Sequence, residues 1–344
     1  MGTDPTETHP GTGRTLALGV DVGGTRIKAG LVDAAGRVVA RAAAPTPPRT
    51  APGQVAQDAV VAVVEQLLSD PAAVCGVAGV GVAVAGFVDA TSGTVVFAPH
   101  LAWRDEPLRE RLTSRLGRPV VVDNDANAAA WAEWRLGAGA GAEDLLVVTL
   151  GTGIGGAHVV DGRLQRGRHG LAGEYGHLQV VPDGRDCECG HAGCWEQYAS
   201  GSVLRRAGAA LVRAGDPRAA ALARRCGGDP DRLQGEDVTL AAKEGDAAAR
   251  ELLAEVGRWL GVGLAGLVGA LDPGRVVVGG GVSEAGDLLL DPAREALAAR
   301  LPGRGHRPVP EVRAALLGVD AGLVGASLLA RDGRSTGSDG RSTG

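Results

Sequence analysis

The first part of the chain alternates short apolar runs with glycine-containing breaks, which is the pattern of consecutive β-strands. Between residues 15 and 45, apolar and β-branched residues are interrupted first by Gly-Gly and then by Ala-Ala-Gly. Because such breaks are typical of hairpin turns, the pattern predicts three antiparallel strands. A helix-periodic stretch over 53–68 follows, and the apolar run VCGVAGVGVAVAG after it is typical of a buried strand bounded by glycines.

A strand-to-helix boundary is predicted near residue 124. The strand-like stretch RPVVVD leads into NDANAAAWAEWRLGAG, where alanine, tryptophan and leucine favour a helix. Asn124 or Asp125 is a natural N-cap, since a side-chain oxygen there satisfies free N–H groups of the first turn. Later, the almost uniformly apolar pattern over 246–273 predicts a buried helix that stops at Asp272-Pro273.

The opening pattern returns in the second half of the chain. The stretch LLVVTLGTGIGGAHVVDGRLQRG aligns with the opening strands at a constant offset of 128 residues, which matches Gly23 with Gly151 and Asp33 with Asp161. Two copies of a strand, a glycine turn and a second strand imply two related lobes that face each other across a cleft. The match is short, so a chance similarity is the alternative.

The order of strands and helices indicates an α/β fold, and 344 residues suit two domains. We expect a smaller lobe over 15–122, completed by a C-terminal helix at about 319–331, and a larger lobe over 123–318. The two ends of the chain, 1–14 and 332–344, are polar and rich in Gly, Ser and Thr, so we expect them to be disordered.

Composition and charge narrow the classes of function. The net charge is −5 with both signs interspersed, and the only lysines are Lys28 and Lys243, which argues against a nucleic-acid surface. The start lacks the pattern of a secretory signal, and no later run offers eighteen apolar residues free of glycine and charge. We therefore expect a cytoplasmic protein without a membrane segment, which binds a small molecule.

Three glycine-rich turns are candidate phosphate sites, because successive backbone N–H groups can point into one concavity there. They are DVGGTR at 21–26, LGTGIGG at 150–156 and GGGVS at 279–283. The middle turn satisfies G-x-G-x-x-G, but a strand pattern follows it where a dinucleotide-binding fold needs a helix. Ordinary hairpin turns are the alternative, while Asp21, Thr25 and Thr152 beside the glycines favour a clamp for a nucleotide triphosphate and its metal.

A cysteine loop is the most specific feature of the chain. His177, Cys187, Cys189 and Cys194 give the spacing H-x9-C-x-C-x4-C, and three thiolates with one imidazole suit structural zinc. His191 is the alternative fourth ligand. A zinc ion there would anchor the whole loop, which spans 177–194, and hold Glu174, His177 and Glu196 in place. The other two cysteines, Cys75 and Cys226, are interpreted as ordinary buried or surface residues.

A group of polar side chains follows the strand before residue 124. Asp123, Asn124, Asp125 and Asn127 lie at the carboxyl end of that strand, where open α/β sheets bind ligands. Asp125 is either only a helix cap or also a catalytic base. A carboxylate beside a phosphate clamp is what phosphoryl transfer to an alcohol requires.

These motifs together resemble the ROK family of bacterial sugar kinases and repressors, and most closely its glucokinases. The resemblance covers roughly 15–331 and is carried by LGVDVGGTRIKAGLVD, VDNDANAAAWAE, the stretch from VTLGTGIGG through GEYGHLQ and CECGHAGCWEQ, and VVVGGGVSEAG. It implies an actin-like, hexokinase-like fold, transfer of the γ-phosphoryl group of ATP with Mg²⁺ to a sugar hydroxyl, structural zinc, and assembly into homodimers or tetramers.

The resemblance also implies roles for individual residues. Asp125 is the expected base, and the expected sugar contacts are Gly86, His100, Asn124, Asp125, Glu174, His177 and Glu196. The expected nucleotide and phosphate contacts are Asp21, Gly23, Gly24, Thr25, Lys28, Thr152, Gly153, Gly280 and Gly281. The expected zinc ligands are His177, Cys187, Cys189 and Cys194. Two positions depart from the family pattern: Ala85 replaces the usual proline, and His100 replaces the usual asparagine.

The leading hypothesis is phosphorylation of glucose to glucose 6-phosphate by ATP. A kinase for another hexose, such as N-acetylmannosamine or fructose, is the nearest alternative, and polyphosphate is an alternative donor. A sugar-responsive repressor is a further alternative, although only about 14 polar residues precede the first strand. A non-catalytic sugar-binding module is disfavoured by the presence of Asp125.

Overall fold

The computed structural model describes residues 16–333. The predicted disorder of 1–14 lies outside the described residues, as does that of the tail beyond residue 333. Asp332, the first residue of the predicted tail, is described and accepts hydrogen bonds from Trp131 and Arg135.

The first half of the described chain contains, in order, β1 (Leu16–Val22), β2 (Arg26–Val32), β3 (Val38–Pro45), α1 (Gly53–Leu68), β4 (Val77–Val84), β5 (Phe87–Val88), β6 (Val95–Phe97), β7 (Arg104–Glu106), α2 (Leu108–Leu116), β8 (Val120–Asn124) and α3 (Asp125–Leu136).

The second half of the described chain repeats the alternation of strands and helices. Its elements are β9 (Asp144–Leu150), β10 (Ile154–Val160), β11 (Arg163–Leu164), α4 (Gly201–Arg213), α5 (Ala220–Arg225), α6 (Gly235–Lys243), α7 (Ala247–Leu271), β12 (Arg275–Gly279), α8 (Asp287–Arg300), β13 (Glu311–Ala314) and α9 (Ala321–Arg331). α1 spans the stretch over which a helix was predicted. α7 ends as predicted, because Asp272 adopts the left-handed conformation with φ of 49°.

Two five-stranded sheets have the same strand order. The first runs β3-β2-β1-β4-β8 and the second runs β11-β10-β9-β12-β13. In each sheet an antiparallel three-strand unit is followed by two parallel strands. β9 and β10 begin and end 128 residues after β1 and β2. The predicted α/β fold with a duplicated hairpin is therefore confirmed.

A third, three-stranded sheet of order β5-β6-β7 was not predicted. Its strands have only two or three residues each, which is too short for alternating burial to show in the sequence. This small sheet extends from the first sheet and carries the turn that contains His100.

Three hydrophobic clusters form the core. One packs α1 and α2 against the first sheet, and a larger one packs α4, α6, α7 and α8 against the second sheet. The third cluster consists of α3 and α9 together with the facing residues of both sheets. The two sheets are thus joined through a shared pair of helices. The assignment of α9 to the smaller lobe stays a prediction. α9 packs on β1 and β4 of the first sheet.

The shared helices approach their neighbours so closely that several contact points require glycine, and two of them fix α3 and α9. A β-carbon at Gly81 of β4 would overlap the carbonyl oxygen of Ala326 in α9. A β-carbon at Gly325 of α9 would overlap the carbonyl oxygen of Ala128 in α3. Because close-packed backbones leave no room to shift, α3 is held in a defined position relative to the first sheet.

α7 is long and apolar enough, by length and composition alone, to cross a membrane. It instead packs along α8 and α6, and Leu253, Leu260 and Leu264 are fully buried in the second cluster. This burial is typical of the core helix of a globular domain.

Candidate active site

A cavity of about 580 Å³, here called the central cavity, lies between the two glycine turns that follow β1 and β9. It brings together most of the predicted site residues, although they come from elements throughout the chain. The predicted residues that line it are Gly23, Gly24, Thr25, Gly86, His100, Asn124, Asp125, Thr152, Gly153, Glu174, His177 and Glu196. The glycine turns, the strand end near residue 124 and the cysteine loop therefore meet at one site.

An adjoining cavity of about 230 Å³ lies on the other side of the start of α3. It shares Asp125, Ala126, Thr149 and Gly151 with the central cavity, and it is also lined by Asp21 and Gly280. Two of the predicted nucleotide contacts, Lys28 and Gly281, line neither cavity. Lys28 pairs with Asp21 across the β1–β2 hairpin, and Gly281 begins the short 3₁₀ helix after Gly280.

Asp125 stands where the two cavities meet. Asn124 is the N-cap of α3 and accepts hydrogen bonds from the N–H groups of Ala126 and Asn127, so Asp125 is the first residue of the helix and not its cap. Its carboxylate accepts hydrogen bonds from the Ala126 N–H at 2.9 Å and from the Asn124 amide at 3.1 Å. Only part of its hydrogen-bonding capacity is thereby used, which leaves oxygen lone pairs for a ligand.

The electrostatic surroundings raise the pKa of Asp125 well above that of an ordinary aspartate. Burial, followed by the nearby negative charge of Asp21, raises the pKa of Asp125 to about 7, and the charge of Glu174 adds to the effect. Hydrogen bonding from the Ala126 N–H opposes the rise. A carboxylate with such a pKa accepts a proton near physiological pH far better than an ordinary aspartate does.

The cysteine loop places four potential metal ligands in one cluster. The ligand atoms of His177, Cys187, Cys189 and Cys194 all lie within 4.8 Å of one another. The Sγ atoms of Cys189 and Cys194 are 3.6 Å apart. Tetrahedral Zn–S bonds of about 2.3 Å separate two sulfurs by about 3.8 Å, so the spacing fits zinc. The cluster includes His177 and not the alternative, His191.

The thiol cluster is linked directly to the central cavity. Nδ1 of His177 lies 3.7 Å from the Sγ of Cys187, whereas Nε2 lies 3.9 Å from a carboxylate oxygen of Glu174. The Cys187 thiol donates to Glu196 at 3.2 Å. A β-carbon at Gly153 would overlap the Glu196 carboxylate, so the second glycine turn packs directly against that residue. One ring nitrogen of His177 therefore faces the thiols and the other faces the cavity.

Residues 17–333 match the ROK family. The chain belongs to the ROK family. The resemblance inferred from the sequence is thus confirmed.

Relatives of this ROK protein include enzymes of known activity. It is 45% identical over 317 residues to a glucokinase of Streptomyces coelicolor, which is 92% of this chain and 98% of that enzyme. A ROK family glucokinase from Streptomyces griseus, solved in complex with glucose and AMPPNP, is 46% identical with a TM-score of 0.85, over 92% of this chain and 99% of the other. A ROK hexokinase from Thermus thermophilus is 34% identical with a TM-score of 0.71, over 94% and 100%. The fold is therefore the predicted actin-like, hexokinase-like fold.

This ROK protein supports its site with a buried ion pair that the sequence did not reveal. Asp123 is 2% exposed, and its carboxylate accepts hydrogen bonds from Nε of Arg166 at 3.0 Å and from its Nη2. The other carboxylate oxygen of Asp123 accepts from the Asn127 amide at 2.9 Å. Because Arg166 follows β11, this pair ties the end of β8 to the segment that leads to Glu174.

Replacing Arg166 by alanine is expected to lower the free energy of unfolding by about 3–5 kcal/mol, because it leaves Asp123 buried without its counter-charge. Urea-induced unfolding at neutral pH measures the change. Arg213→Ala is the matched control, since Arg213 pairs with Asp231 on the surface and such pairs contribute at most about 1 kcal/mol. Equal losses in the two variants would refute a special role for the Asp123–Arg166 pair.

A second buried carboxylate, Glu133 of α3, was also missed. It is 1% exposed and accepts backbone hydrogen bonds from Ala138 at 2.8 Å, from Leu316 at 3.2 Å and from Leu317 at 2.7 Å. Leu316 and Leu317 lie beside Ala315, which lines the adjoining cavity. Glu133 thus connects the helix that begins at Asp125 with a wall of that cavity. In the sequence, the only sign that Glu133 is buried was its position among alanines and tryptophans.

The His100 side chain, one of the two departures from the family pattern, reaches the first glycine turn. A β-carbon at Gly24 would lie 3.0 Å from the imidazole ring, so ring and turn are in close contact. Arg104 holds the turn that carries His100, because its guanidinium donates to the carbonyls of Ala98 and Leu101 and stacks on Phe97 at 4.0 Å. Compared with the asparagine that is usual in the family, His100 therefore presents a bulkier side chain with two ring nitrogens to the central cavity.

Proposed function

We propose that the protein transfers the γ-phosphoryl group of ATP to the 6-hydroxyl of glucose, forming glucose 6-phosphate and ADP. Asp125 acts as general base, the glycine turns bind the phosphates, and zinc at the cysteine loop braces the sugar contacts. Family membership and 45% identity to a glucokinase make the chain an ATP-dependent sugar kinase of the glucokinase type. Cytoplasmic localisation and assembly into dimers or tetramers stay predictions.

One observation carries the proposal: Asp125 lies at the junction of two cavities with different linings. The central cavity presents hydrogen-bonding side chains, including Asn124, Glu174 and Glu196, which suit the hydroxyl groups of a sugar. The adjoining cavity is lined by Gly279, Gly280, Ala315 and Val319, which suit the flat apolar body of a nucleobase. A phosphate chain that connects the two would pass the glycine turns and Asp125.

The reaction needs little from the protein besides positioning and a base. The sugar oxygen forms a bond to the γ-phosphorus while its proton moves to Asp125. The bond between the γ-phosphorus and the bridging oxygen breaks, and ADP leaves with the electron pair. Holding the hydroxyl in line with the phosphate supplies about 7–11 kcal/mol of the barrier reduction.

Magnesium, when bound with ATP, neutralises charge on the phosphate oxygens. Asp21 is the carboxylate best placed to hold it, because it lines the adjoining cavity at the end of β1 and carboxylate oxygens are preferred ligands of Mg²⁺. Burial raises the pKa of Asp21, while the positive charge of Lys28 lowers it. Lys28 therefore acts on the site through Asp21.

Zinc fits the cysteine loop by donor set and by spacing, and we assign it a structural role. All four positions of a tetrahedral ion are filled by His177, Cys187, Cys189 and Cys194, which leaves no open position for a substrate. The ion would keep Nε2 of His177 turned toward Glu174 and the cavity. By anchoring the loop that ends at Cys194, it would also fix the position of Glu196, two residues further on.

A kinase for another hexose is the second candidate. It is supported by the two positions, Ala85 and His100, at which the chain departs from the family pattern. Ala85 and His100 both line the central cavity, so either change alters the surface that a sugar meets. A non-catalytic sugar-binding module is less well supported, because Asp125 lies on the cavity with a pKa suited to a base.

A turnover assay with Mg-ATP tests the proposed function. Glucose is expected to give a kcat/KM at least tenfold above those of mannose, fructose and N-acetylmannosamine, since a buried polar site rejects analogues that leave its groups unpaired. Polyphosphate replaces ATP in a parallel series and is expected to be the poorer donor. A higher kcat/KM with another hexose would establish the second candidate, and no transfer to any of these sugars would refute a hexokinase.

A further inference from the structure

A third cavity, of about 240 Å³, lies behind the cysteine loop, between α4 and α7. We call it the α4–α7 cavity. Its mouth carries Arg185 and Arg206, and its walls include Tyr198 and Trp259. It shares no lining residue with the central cavity or the adjoining cavity, so neither sugar nor nucleotide binding at Asp125 accounts for it.

The two arginines at the mouth converge on one backbone oxygen. Nη1 of Arg185 donates to the carbonyl of Gln197 at 2.8 Å, and Nη2 of Arg206 donates to the same carbonyl at 3.3 Å. Among the described residues neither guanidinium forms an ion pair with a carboxylate. Burial and the positive charges of Arg185 and Arg205 lower the pKa of Arg206, whereas the charge of Glu196 raises it. Two like charges thus share one site without a carboxylate paired directly to either.

The rest of the cavity is apolar and aromatic. The Tyr198 ring lies between the Arg185 guanidinium, at 4.8 Å, and the Trp259 ring, at 4.6 Å. Trp259 is half-buried, and its indole N–H is already donated to Glu255, so it offers ring carbons to the cavity. Glu255, the acidic residue of the lining, also pairs with Arg258. The polar atoms that stay available are mainly those of the arginines.

We propose that the α4–α7 cavity is a second binding site for a phosphorylated sugar. A phosphate monoester carries about 1.5–2 negative charges at pH 7 and accepts bidentate hydrogen bonds, so it matches two guanidiniums that form no ion pair with a carboxylate. The half-buried face of Trp259 suits the apolar face of a sugar ring, and the volume suits a single hexose phosphate. The choice of sugar phosphate rests on the proposed function, because glucose 6-phosphate is its product.

The geometry connects this cavity to the sugar contacts. Gln197, whose carbonyl holds both arginines, follows Glu196 in the same one-turn 3₁₀ helix. Trp195 of that turn donates to the Trp259 carbonyl at 2.8 Å. A phosphate that draws the two guanidiniums toward itself lengthens their hydrogen bonds to the Gln197 carbonyl, so its binding loosens the turn that carries Glu196. The bound sugar phosphate therefore weakens glucose binding, as feedback from the product.

Titration calorimetry with glucose 6-phosphate tests the site directly. The wild-type protein is titrated in saturating glucose and AMPPNP, which occupy the other two cavities, and one sugar phosphate is expected to bind per chain. Arg206→Ala is expected to weaken this binding about 10- to 100-fold, the effect of losing charged hydrogen bonds. Arg213→Ala, on the outer face of the same helix, is the matched control and is expected to bind as the wild type does.

Inorganic phosphate is titrated in the same way. Weaker binding of inorganic phosphate than of glucose 6-phosphate supports a site for the whole molecule, whereas equal binding refutes recognition of the sugar. Unaltered binding by Arg206→Ala refutes the site. Glucose 6-phosphate is also expected to raise the KM for glucose more in the wild type than in Arg206→Ala, and equal increases refute the connection to Glu196.

The binding experiment and the proposed function fail independently. If no hexose is phosphorylated but binding depends on Arg206, the proposed function is wrong and the site stands. If glucose is phosphorylated and Arg206→Ala binds normally, the site is wrong and the function stands. Arg206 is exposed, so the variant is expected to fold, and its melting temperature relative to Arg213→Ala checks this.

Discussion

Replacing Asp125 by asparagine is expected to lower kcat about 10²- to 10⁴-fold, the usual contribution of a general base. The amide keeps the shape of the side chain and one acceptor oxygen for the Ala126 N–H, but it does not take up a proton. Glucose affinity, measured by calorimetry without ATP, is expected to change only a few-fold, because Glu174, His177 and Glu196 remain in place. A loss confined to the chemical step is the signature of a residue that acts in the transition state.

Asp105→Asn provides a matched control for this substitution. Asp105 is exposed on β7, outside both cavities, and its positive φ of 46° is readily adopted by asparagine. This variant is expected to retain the wild-type kcat. Turnover by Asp125→Asn within threefold of the wild type would rule out Asp125 as the base.

The raised pKa of Asp125 adds a dependence on pH to the same prediction. The wild-type kcat/KM is expected to fall about tenfold per unit as the pH drops below about 7, because only the ionised carboxylate accepts a proton. The ionised form is also disfavoured in the folded state, so the wild type loses stability as the pH rises from about 4 to about 7. Asp125→Asn lacks this loss. Its melting temperature relative to the wild type is therefore expected to be higher at pH 8 than at pH 5.

Removing one zinc ligand is expected to have the second-largest effect. Cys189→Ala leaves only three ligands, so purified protein is expected to lose nearly all of its bound zinc, which metal analysis measures directly. Without the ion, His177 and Glu196 are no longer held toward the cavity. The KM for glucose is expected to rise tenfold or more, whereas the KM for ATP changes little because the adjoining cavity contains no residue of the loop.

Cys226→Ala is the matched control for the loss of a thiol. Cys226 is buried in the second cluster, far in sequence from the loop, and its thiol donates only to the Ala223 carbonyl. This variant is expected to keep its zinc and its KM for glucose, with at most a modest loss of stability. One equivalent of zinc retained by Cys189→Ala, or a wild-type protein that contains none, would refute the zinc site.

The duplicated fold gives a simple account of why the candidate site lies where it does. The two hairpins related by the 128-residue offset each end in a glycine turn, and both turns line the central cavity. The two units supply backbone donors together with the side chains of Thr25 and Thr152, and β1 adds Asp21. The side chains proposed as the base and as most of the sugar contacts come from segments outside the repeat, namely the start of α3 and the residues in and beside the cysteine loop.

Features that depend on residues close together in the chain were determined by the sequence alone. Alternating and helix-periodic burial follows from local geometry, so the three opening strands and the repeated hairpin were predicted as elements, and α1 and α7 were predicted with nearly correct bounds. The proposed zinc ligands Cys187, Cys189 and Cys194 lie within eight positions, and a short glycine-rich loop can bring them together. The motifs of the ROK family are likewise contiguous stretches of sequence.

Features that depend on contacts between distant segments were decided only by the tertiary structure. Packing placed His177 in one cluster with the three thiols, paired Asp123 with Arg166, and brought Glu133 to a loop 183 residues away. The pKa of Asp125 belongs to the same class, because it is set by burial and by the charges of Asp21 and Glu174. Local periodicity carries no information about which distant charges become neighbours, since a pKa responds to distance in space and not to separation along the chain.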